Sequence, residues 1–322
     1  MKITNEHDIS LPLAVWLLAD DYDYVLDPKY ISVTTLLRST KQIILGARLP
    51  DSDRVADVSD FIARTFGHAV HDSMEKAWKG KYARAMKMLG YPEHVIDRIV
   101  INPTDEQLKA NPNNIPIYIE RRSKKDFNGW TIGGKFDKVM DGHLFDAKST
   151  SVYSYLKGGK EDDYVLQGSL YRWLNQDIIT EDQINVQFIF TDWQRSMIKS
   201  NPDYPKIKLK EVKYNLLSIQ ETEAFIRRKT DELARYWDKP QEDIPECTDK
   251  ELWRAEPQYK YYSDPTKTDG KSTKNFTSLS EAKAFAAEKG KGVVITKLGE
   301  PKACEYCAAF PICQQKDKYF AE

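Results

Sequence analysis

A tight turn between two strand-like segments is the sequence feature that most restricts how this chain can fold. Residues 130–140 and 143–148 read as strands, and the dipeptide Asp141-Gly142 separates them. Asp-Gly is favoured in two-residue hairpin loops, because both loop positions there adopt a positive φ. Such a loop fixes the pairing of the two strands and places Asp137 directly opposite Asp146. The sequence therefore predicts a hairpin in which two aspartates share one face.

The facing aspartates predict a cation site. Their Cβ atoms would lie about 5 Å apart, where two carboxylates repel by roughly 3 kcal/mol at an effective dielectric constant of about 20. A divalent cation removes this repulsion, and carboxylate oxygens favour Mg²⁺ or Mn²⁺. Lys148 lies on the same strand face as Asp146 and could orient an attacking water. The alternative is a solvated hairpin face on which aspartate and lysine neutralise each other.

The other segments predict an α/β chain with a mixed sheet. Periodic apolar residues predict helices, and shorter runs bounded by Gly, Pro and Asn predict strands. In chain order these are helices at 13–18 and 34–48, a long helix from Ser59 to Gly90, strands at 117–121, 130–140 and 143–148, a helix at 163–174, strands at 184–192 and 207–216, and a helix from 218 to 237 that begins with a Ser218/Glu221 capping box.

The composition changes after Pro245. The segment beyond it contains one predicted helix, at 280–289, and has few apolar residues for a core of its own. We therefore divide the chain into an N-terminal helical segment at 1–58, a core at 59–245 and a small cysteine-rich C-terminal lobe at 246–322.

Four short motifs resemble, in order and in context, those of the RecB-like branch of the PD-(D/E)XK nucleases. They are Gly67-x-x-x-His71 on the long helix, Gly134-x-x-Asp137 and Asp146-Ala147-Lys148 on the hairpin strands, and Gln167-x-x-x-Tyr171 on the following helix. The resemblance implies a restriction-endonuclease-like core, in which helices flank a central mixed sheet.

The same resemblance implies a role for the matched residues near the hairpin. His71, Asp137 and Asp146 would bind the catalytic Mg²⁺ or Mn²⁺, together with the carbonyl oxygen of Ala147. Lys148 would activate or position water. A single histidine on a helix is more often packed or solvated than a ligand, so the assignment of His71 depends on the other motifs.

Gln167 and Tyr171 would, by the same resemblance, orient Lys148 and the DNA backbone. The two residues are four positions apart, so they share one face of the predicted helix. This spacing is consistent with a joint role.

The four cysteines predict a second metal site. They are Cys247, Cys304, Cys307 and Cys313, and the last three lie within ten residues. Four thiolates suit a tetrahedral Zn²⁺ or a 4Fe-4S cluster, and a disulfide or free thiols are the other alternative. The triplet spacing resembles that of iron-sulfur nucleases of the AddB type and of CRISPR adaptation, which favours iron-sulfur. In those nucleases the fourth cysteine precedes the core, whereas Cys247 follows it.

Charge composition gives no global preference for a polyanion, because 48 Lys and Arg residues face 49 Asp and Glu residues. A DNA partner would therefore need a local basic groove. Arg121, Arg122, Lys124 and Lys125, in a predicted loop before the Gly134 strand, are candidate phosphate contacts. An ordinary solvated charged face is the alternative.

The resemblance implies an exonuclease that trims linear or single-stranded DNA ends in recombination, repair or phage replication, with recombination or replication proteins as partners. A structure-specific endonuclease and a catalytically idle DNA-binding assembly subunit are the alternatives. The mean hydropathy of −0.61 and the lack of a long apolar segment predict a soluble, cytoplasmic protein without a membrane partner.

Overall fold

The structure is a computed structural model that describes residues 1–20 and 24–320. The strands are β1 (Lys2–Thr4), β2 (Tyr30–Ser32), β3 (Val55–Asp57), β4 (Ile99–Ile101), β5 (Ile115–Phe127), β6 (Trp130–Met140), β7 (His143–Thr150), β8 (Gln183–Phe190), β9 (Leu209–Asn215), β10 (Gln258–Tyr262), β11 (Lys274–Phe276) and β12 (Val293–Lys297). The helices are α1 (Leu11–Leu18), α2 (Val33–Leu36), α3 (Thr40–Arg48), α4 (Ile62–Gly80), α5 (Tyr82–Met88), α6 (Glu93–Ile96), α7 (Asp105–Ala110), α8 (Val152–Lys157), α9 (Glu161–Leu174), α10 (Ile219–Tyr236), α11 (Leu279–Lys289) and α12 (Asp317–Phe320).

The central sheet is mixed, and its order is β4-β5-β6-β7-β8-β9, with β2 paired to β6 off this path. The pairs β4–β5, β7–β8 and β2–β6 are parallel, and the pairs β5–β6, β6–β7 and β8–β9 are antiparallel. Helices flank this sheet, which confirms the predicted α/β class. Across residues 1–20 and 24–320, none of the helices combines the length and the apolar content that a membrane crossing requires.

The hairpin predicted at Asp141-Gly142 is present. The two loop residues have φ values of 51° and 77°, and the first cross-strand pair is Met140 with His143. The pairing continues to Lys138 with Phe145, which are the neighbours of the two aspartates in the predicted register. The turn chemistry therefore predicted the strand register correctly.

Apolar packing fixes the helices against the sheet. Trp78 of α4 and Tyr82 and Met86 of α5 pack on a buried cluster that includes Ile99 and Ile117 of the sheet. Helix α9 buries Leu170 and Trp173, both at most 1% exposed. The core thus holds in place the helices that carry two of the four sequence motifs.

Two predicted helices are interrupted. The helix expected from Ser59 to Gly90 is divided at Lys81, where φ is −133° and ψ is −1°, into α4 and α5. The region expected to be helical at 34–48 contains two helices, and the second of them begins after the N-cap Ser39. Ser39 accepts a hydrogen bond from the backbone N–H of Gln42 at 3.0 Å, which explains the new helix start.

The chain divides into two compact units. The first contains Met1–Leu37 and Ser52–Glu232, including the central sheet, and the second contains Arg38–Asp51 and the chain from Leu233 onward. Helix α3 therefore belongs to the second unit although it precedes the sheet in the chain. The predicted division into 1–58, 59–245 and 246–322 stays a prediction.

The second unit contains a small antiparallel sheet that the sequence did not predict, in the order β11-β10-β12. Helix α11 packs against it through Phe285, whose ring lies 5.1 Å from that of Tyr261 and 5.3 Å from that of Phe276. The three strands have three to five residues each and are rich in Lys and Tyr, so their pattern is weak. Aromatic packing supplies the core that the composition appeared to lack.

Gly134 tests the packing around the motif strands. A Cβ at this position would lie 2.8 Å from both Tyr171 and Val33, so Gly134→Ala should lower the free energy of unfolding by about 1–3 kcal/mol. Gly80 is the control in the same unit, because a Cβ there meets nothing within 4 Å. Urea unfolding should show that Gly134→Ala is destabilised and that Gly80→Ala is not. Equal stabilities of the two variants would contradict the close approach of Tyr171 and Val33 to Gly134.

Candidate functional site

His71, Glu120 and Asp137 form the group of described residues best placed to hold a cation. Their ligand atoms lie within 4.8 Å of one another. Nδ1 of His71 is 3.3 Å from Oδ2 of Asp137 and 3.8 Å from Oε1 of Glu120. The three residues come from α4, β5 and β6, so the packing of a helix on two paired strands positions them. They line a cavity of about 20 Å³, which has room for one water or one ion.

Glu120 was missed in the sequence, although it lies within a predicted strand. The pairs Ile119 with Lys138 and Arg121 with Phe136 place it opposite Asp137. Its φ is 51°, a left-handed conformation that costs a non-glycine residue on the order of 1 kcal/mol. The signal that could have found it is the dipeptide Asn128-Gly129, which forms the two-residue loop between β5 and β6 and places residue 120 opposite residue 137.

Lys135 gives Glu120 a second contact. Its ammonium lies 2.8 Å from Oε2 of Glu120, while Oε1 faces His71. The carboxylate therefore bridges a lysine and the candidate cation position, and this arrangement limits its freedom to move away.

Asp137 is held by the next strand as well as by the helix. Its Oδ2 accepts a hydrogen bond of 2.8 Å from the backbone N–H of Ala147. This bond crosses from β6 to β7 beyond the last ladder pair, Lys138 with Phe145. Ala147 thus contacts Asp137 through its backbone N–H. Binding of a metal by the carbonyl oxygen of Ala147 stays a prediction.

Asp146 and Lys148 form a buried ion pair beside this group. Asp146 is only 2% exposed, and its Oδ2 lies 2.7 Å from the ammonium of Lys148. Apart from this ammonium, Oδ2 has no hydrogen-bond donor among the described residues. A buried carboxylate oxygen with this single contact can accept a further positively charged ligand.

The charges of the site are strongly coupled. Burial, and next the carboxylate of Asp137, raise the pKa of Asp146 to about 6, although Lys148 opposes the shift. Burial lowers the pKa of Lys148, but Asp146 and Asp137 outweigh it and the net shift is upward. Asp137 first, and Glu120 second, raise the pKa of His71 to about 10. Neighbouring carboxylates therefore favour the charged forms of both His71 and Lys148.

Gln167 and Tyr171 lie together on α9, as their spacing predicts. Nε2 of Gln167 donates a hydrogen bond of 3.3 Å to the hydroxyl of Tyr171, and both side chains are buried. The Tyr171 ring also contacts Phe136 of β6 edge-on, with centroids 6.4 Å apart. Their proposed action on Lys148 and on DNA stays a prediction.

The basic run from Arg121 to Lys125 lies in strand β5 and not in a loop, which corrects the predicted element. These residues pair with β6, so the segment that was predicted to be a loop is part of a long β5–β6 hairpin. Arg121 lies over the Tyr118 ring at 5.3 Å and Lys125 over the Trp173 ring at 4.3 Å. Arg122 is half-buried and Lys124 is exposed. Contact of these residues with phosphates stays a prediction.

The four cysteines line a separate cavity of about 40 Å³ in the second unit. They are Cys247, Cys304, Cys307 and Cys313, and all are free thiols. Residues of α3 complete the cavity, and the N-cap Ser39 lies with its Oγ 3.1 Å from Sγ of Cys247. A segment that precedes the core thus joins the cysteines, although no cysteine lies in it.

Burial is the main influence on the pKa values of three of these thiols. It raises the pKa of Cys247 to about 11, and it also raises the pKa values of Cys304 and Cys307. Thiols of this kind become thiolates when a metal displaces their protons. The four sulfurs are a donor set that suits a metal or a metal cluster, although no three of them lie within 4.8 Å of one another in the part of the chain that the structure describes.

Comparisons with known proteins find likenesses to solved structures at low sequence identity. No family model matches the chain, and no curated protein matches it. Among solved structures, the protein SSO0001 is 14% identical, with a TM-score of 0.40 over 68% of this chain and 83% of its own. A phage-related exonuclease from Haemophilus somnus 129PT is 14% identical, with a TM-score of 0.27 over 64% of this chain and 95% of its own. The chemistry of the site is therefore inferred from the residues of this chain.

Binding of Mn²⁺ tests the cation group. At a hundred times its Kd, the ion should stabilise the folded protein by about 2.7 kcal/mol, because it binds the folded state alone. Glu120→Gln and Asp137→Asn should each remove most of this stabilisation, since each removes one anionic ligand.

The control is Glu181→Gln, which changes an exposed carboxylate of the same unit. Thermal unfolding with and without Mn²⁺ gives the comparison. An unchanged response in Glu120→Gln would show that Glu120 is not a ligand.

Proposed function

We propose that the chain is a metal-dependent nuclease that hydrolyses phosphodiester bonds in DNA. The observation that carries the proposal is the convergence of His71, Glu120 and Asp137 within 4.8 Å, beside the buried pair of Asp146 and Lys148. Oxygen and imidazole ligands next to a fixed cation suit the stabilisation of a phosphoryl group.

The ligands proposed for Mg²⁺ or Mn²⁺ are His71, Asp137 and Asp146, with Glu120 as an addition from the structure. When bound, such an ion supplies Lewis-acid activation of water and of a phosphoryl oxygen. The hydrogen bond from the Ala147 N–H holds the Asp137 carboxylate in one conformation, so it is already oriented for binding the ion.

Lys148 then has the role of a positive charge beside the reacting group. Two carboxylates favour its charged form, which suits it to orient the attacking water and to offset charge on a phosphoryl oxygen. The water oxygen forms a bond to phosphorus as the bond to the leaving oxygen breaks. One water proton goes to solvent, and the leaving oxygen takes up a proton.

Among nucleases, we favour an exonuclease that acts on linear or single-stranded DNA ends. The support is the resemblance of the four motifs to the RecB-like branch, and the associated pathways are recombination, repair or phage replication. Recombination or replication proteins are the proposed partners. In the second unit, we propose a metal held by the four cysteines, with a 4Fe-4S cluster favoured over Zn²⁺ by the triplet spacing.

Asp146 provides the test of catalysis. Asp146→Asn keeps the size of the side chain but removes its charge, so degradation of linear DNA with Mg²⁺ should fall at least about a hundredfold. Asp146→Ala should be equally inactive. Asp269→Asn, at an exposed aspartate, should retain full activity.

Circular dichroism and unfolding curves confirm that each Asp146 variant is folded. Full activity in a folded Asp146→Asn protein would exclude the proposed metal role. Inactivity of the unaltered protein on all DNA substrates with both metals would instead favour the idle assembly subunit.

The topology of the substrate separates the two enzyme alternatives. An exonuclease needs an end, so covalently closed circular DNA should persist in Mn²⁺ while linear DNA of the same sequence is degraded. Gel electrophoresis follows both substrates over time. Cutting of the closed circle would establish an endonuclease.

A further inference from the structure

We propose that Lys41 is the buried counter-charge of a metal–thiolate site formed by the four cysteines. This inference rests on the metal proposed above for the second unit, and it is independent of the nuclease site. Lys41 is only 4% exposed, although lysine is among the residues least often buried. It lines the same cavity as the four thiols. A buried ammonium requires a partner of opposite charge.

That partner is not a carboxylate of the described chain. Among residues 1–20 and 24–320, no carboxylate lies within 4 Å of the Lys41 ammonium. Glu251 is the one acidic residue among those that line the cavity. Its carboxylate instead accepts hydrogen bonds from the backbone N–H and the hydroxyl of Thr248, at 2.8 and 2.9 Å.

The position of Lys41 in helix α3 does not stabilise its buried charge either. Ser39 is the N-cap, so Lys41 lies in the first turn of the helix, where the helix dipole disfavours a cation. Two unfavourable terms, burial and the dipole, therefore act on one residue. A lysine in this position requires another group whose attraction offsets both the cost of burial and the effect of the helix dipole.

The surroundings of the cavity are predominantly basic. Lys316 also lines it, Arg38 acts electrostatically on Cys307, and Arg254 acts in the same way on Cys304. Four thiolates around Zn²⁺ or around an oxidised 4Fe-4S core carry a net charge of about −2. The geometry therefore points to an anionic metal–thiolate group as the missing partner of Lys41.

This assignment makes the effect of Lys41 depend on the metal. Without metal the Lys41 charge has no carboxylate partner among the described residues, so it is buried at a cost. With metal the same charge is paired. Lys41→Met, which keeps the length of the side chain, should therefore weaken metal binding but leave the metal-free protein as stable as before or more stable.

The experiment uses the full chain with three substitutions. Lys41→Met removes the charge, Lys41→Arg keeps it, and Lys283→Met removes the charge of an exposed lysine in the same unit. Each protein is prepared metal-free under reducing conditions and then loaded either with iron and sulfide or with Zn²⁺. Metal and sulfide content, visible absorption and competition with a chelator measure binding, and thermal unfolding is recorded with and without metal.

We expect Lys41→Met to lose at least about tenfold in metal affinity, while Lys41→Arg and Lys283→Met stay within about threefold of the unaltered protein. We expect the melting temperature of metal-free Lys41→Met to be unchanged or raised. Unaltered affinity in Lys41→Met overturns the proposal, and so does an equal loss of stability in the metal-free and loaded forms, which is the signature of a packing role.

The same samples distinguish the role of Lys41 from the proposed cysteine metal site and from the proposed nuclease site. If the unaltered protein binds neither iron-sulfur nor zinc, the cysteine metal site and the role of Lys41 both fail. Binding by the unaltered protein with no effect of Lys41→Met overturns the role of Lys41 alone. DNA degradation is assayed apart from these measurements.

Discussion

The hydrogen bond from the Ala147 N–H to the Asp137 carboxylate is the contact on which the arrangement of the first unit depends. It joins the two hairpin strands just beyond their last ladder pair, and the same carboxylate meets His71 from α4. One side chain thus ties sheet to helix. Strand pairing around it places the other two carboxylates of the site, because Glu120 lies opposite Asp137 and Asp146 precedes Ala147 on β7.

The sequence predicted the parts of this arrangement that local chemistry determines. The Asp141-Gly142 loop fixed a register that the structure reproduces, and the Ser218/Glu221 capping box is present at the start of α10. Glu120 was missed although the Asn128-Gly129 turn joins β5 to β6 and places it opposite Asp137, because the segment before this turn was interpreted as a loop. The β10–β12 sheet was missed for another reason, since its core consists of aromatic contacts between segments distant in the chain.

The cysteine cavity is formed by segments that lie far apart in the chain. Cys247 follows the central sheet. The structure adds α3, from before the core, to the same unit, and Ser39 of that helix contacts Cys247. Contacts of this sequence separation leave no periodic signal, so they cannot be recognised from local patterns.

The second unit consists of two segments that are far apart in the chain, and this affects the order in which it can fold during synthesis. Residues 38–51 emerge from the ribosome long before Cys304, Cys307 and Cys313, and all strands of the central sheet except β2 are translated between them. Helix α3 therefore lacks most of its native neighbours until the C-terminal part of the chain has been made. The proposed cysteine metal site would be completed only at that stage.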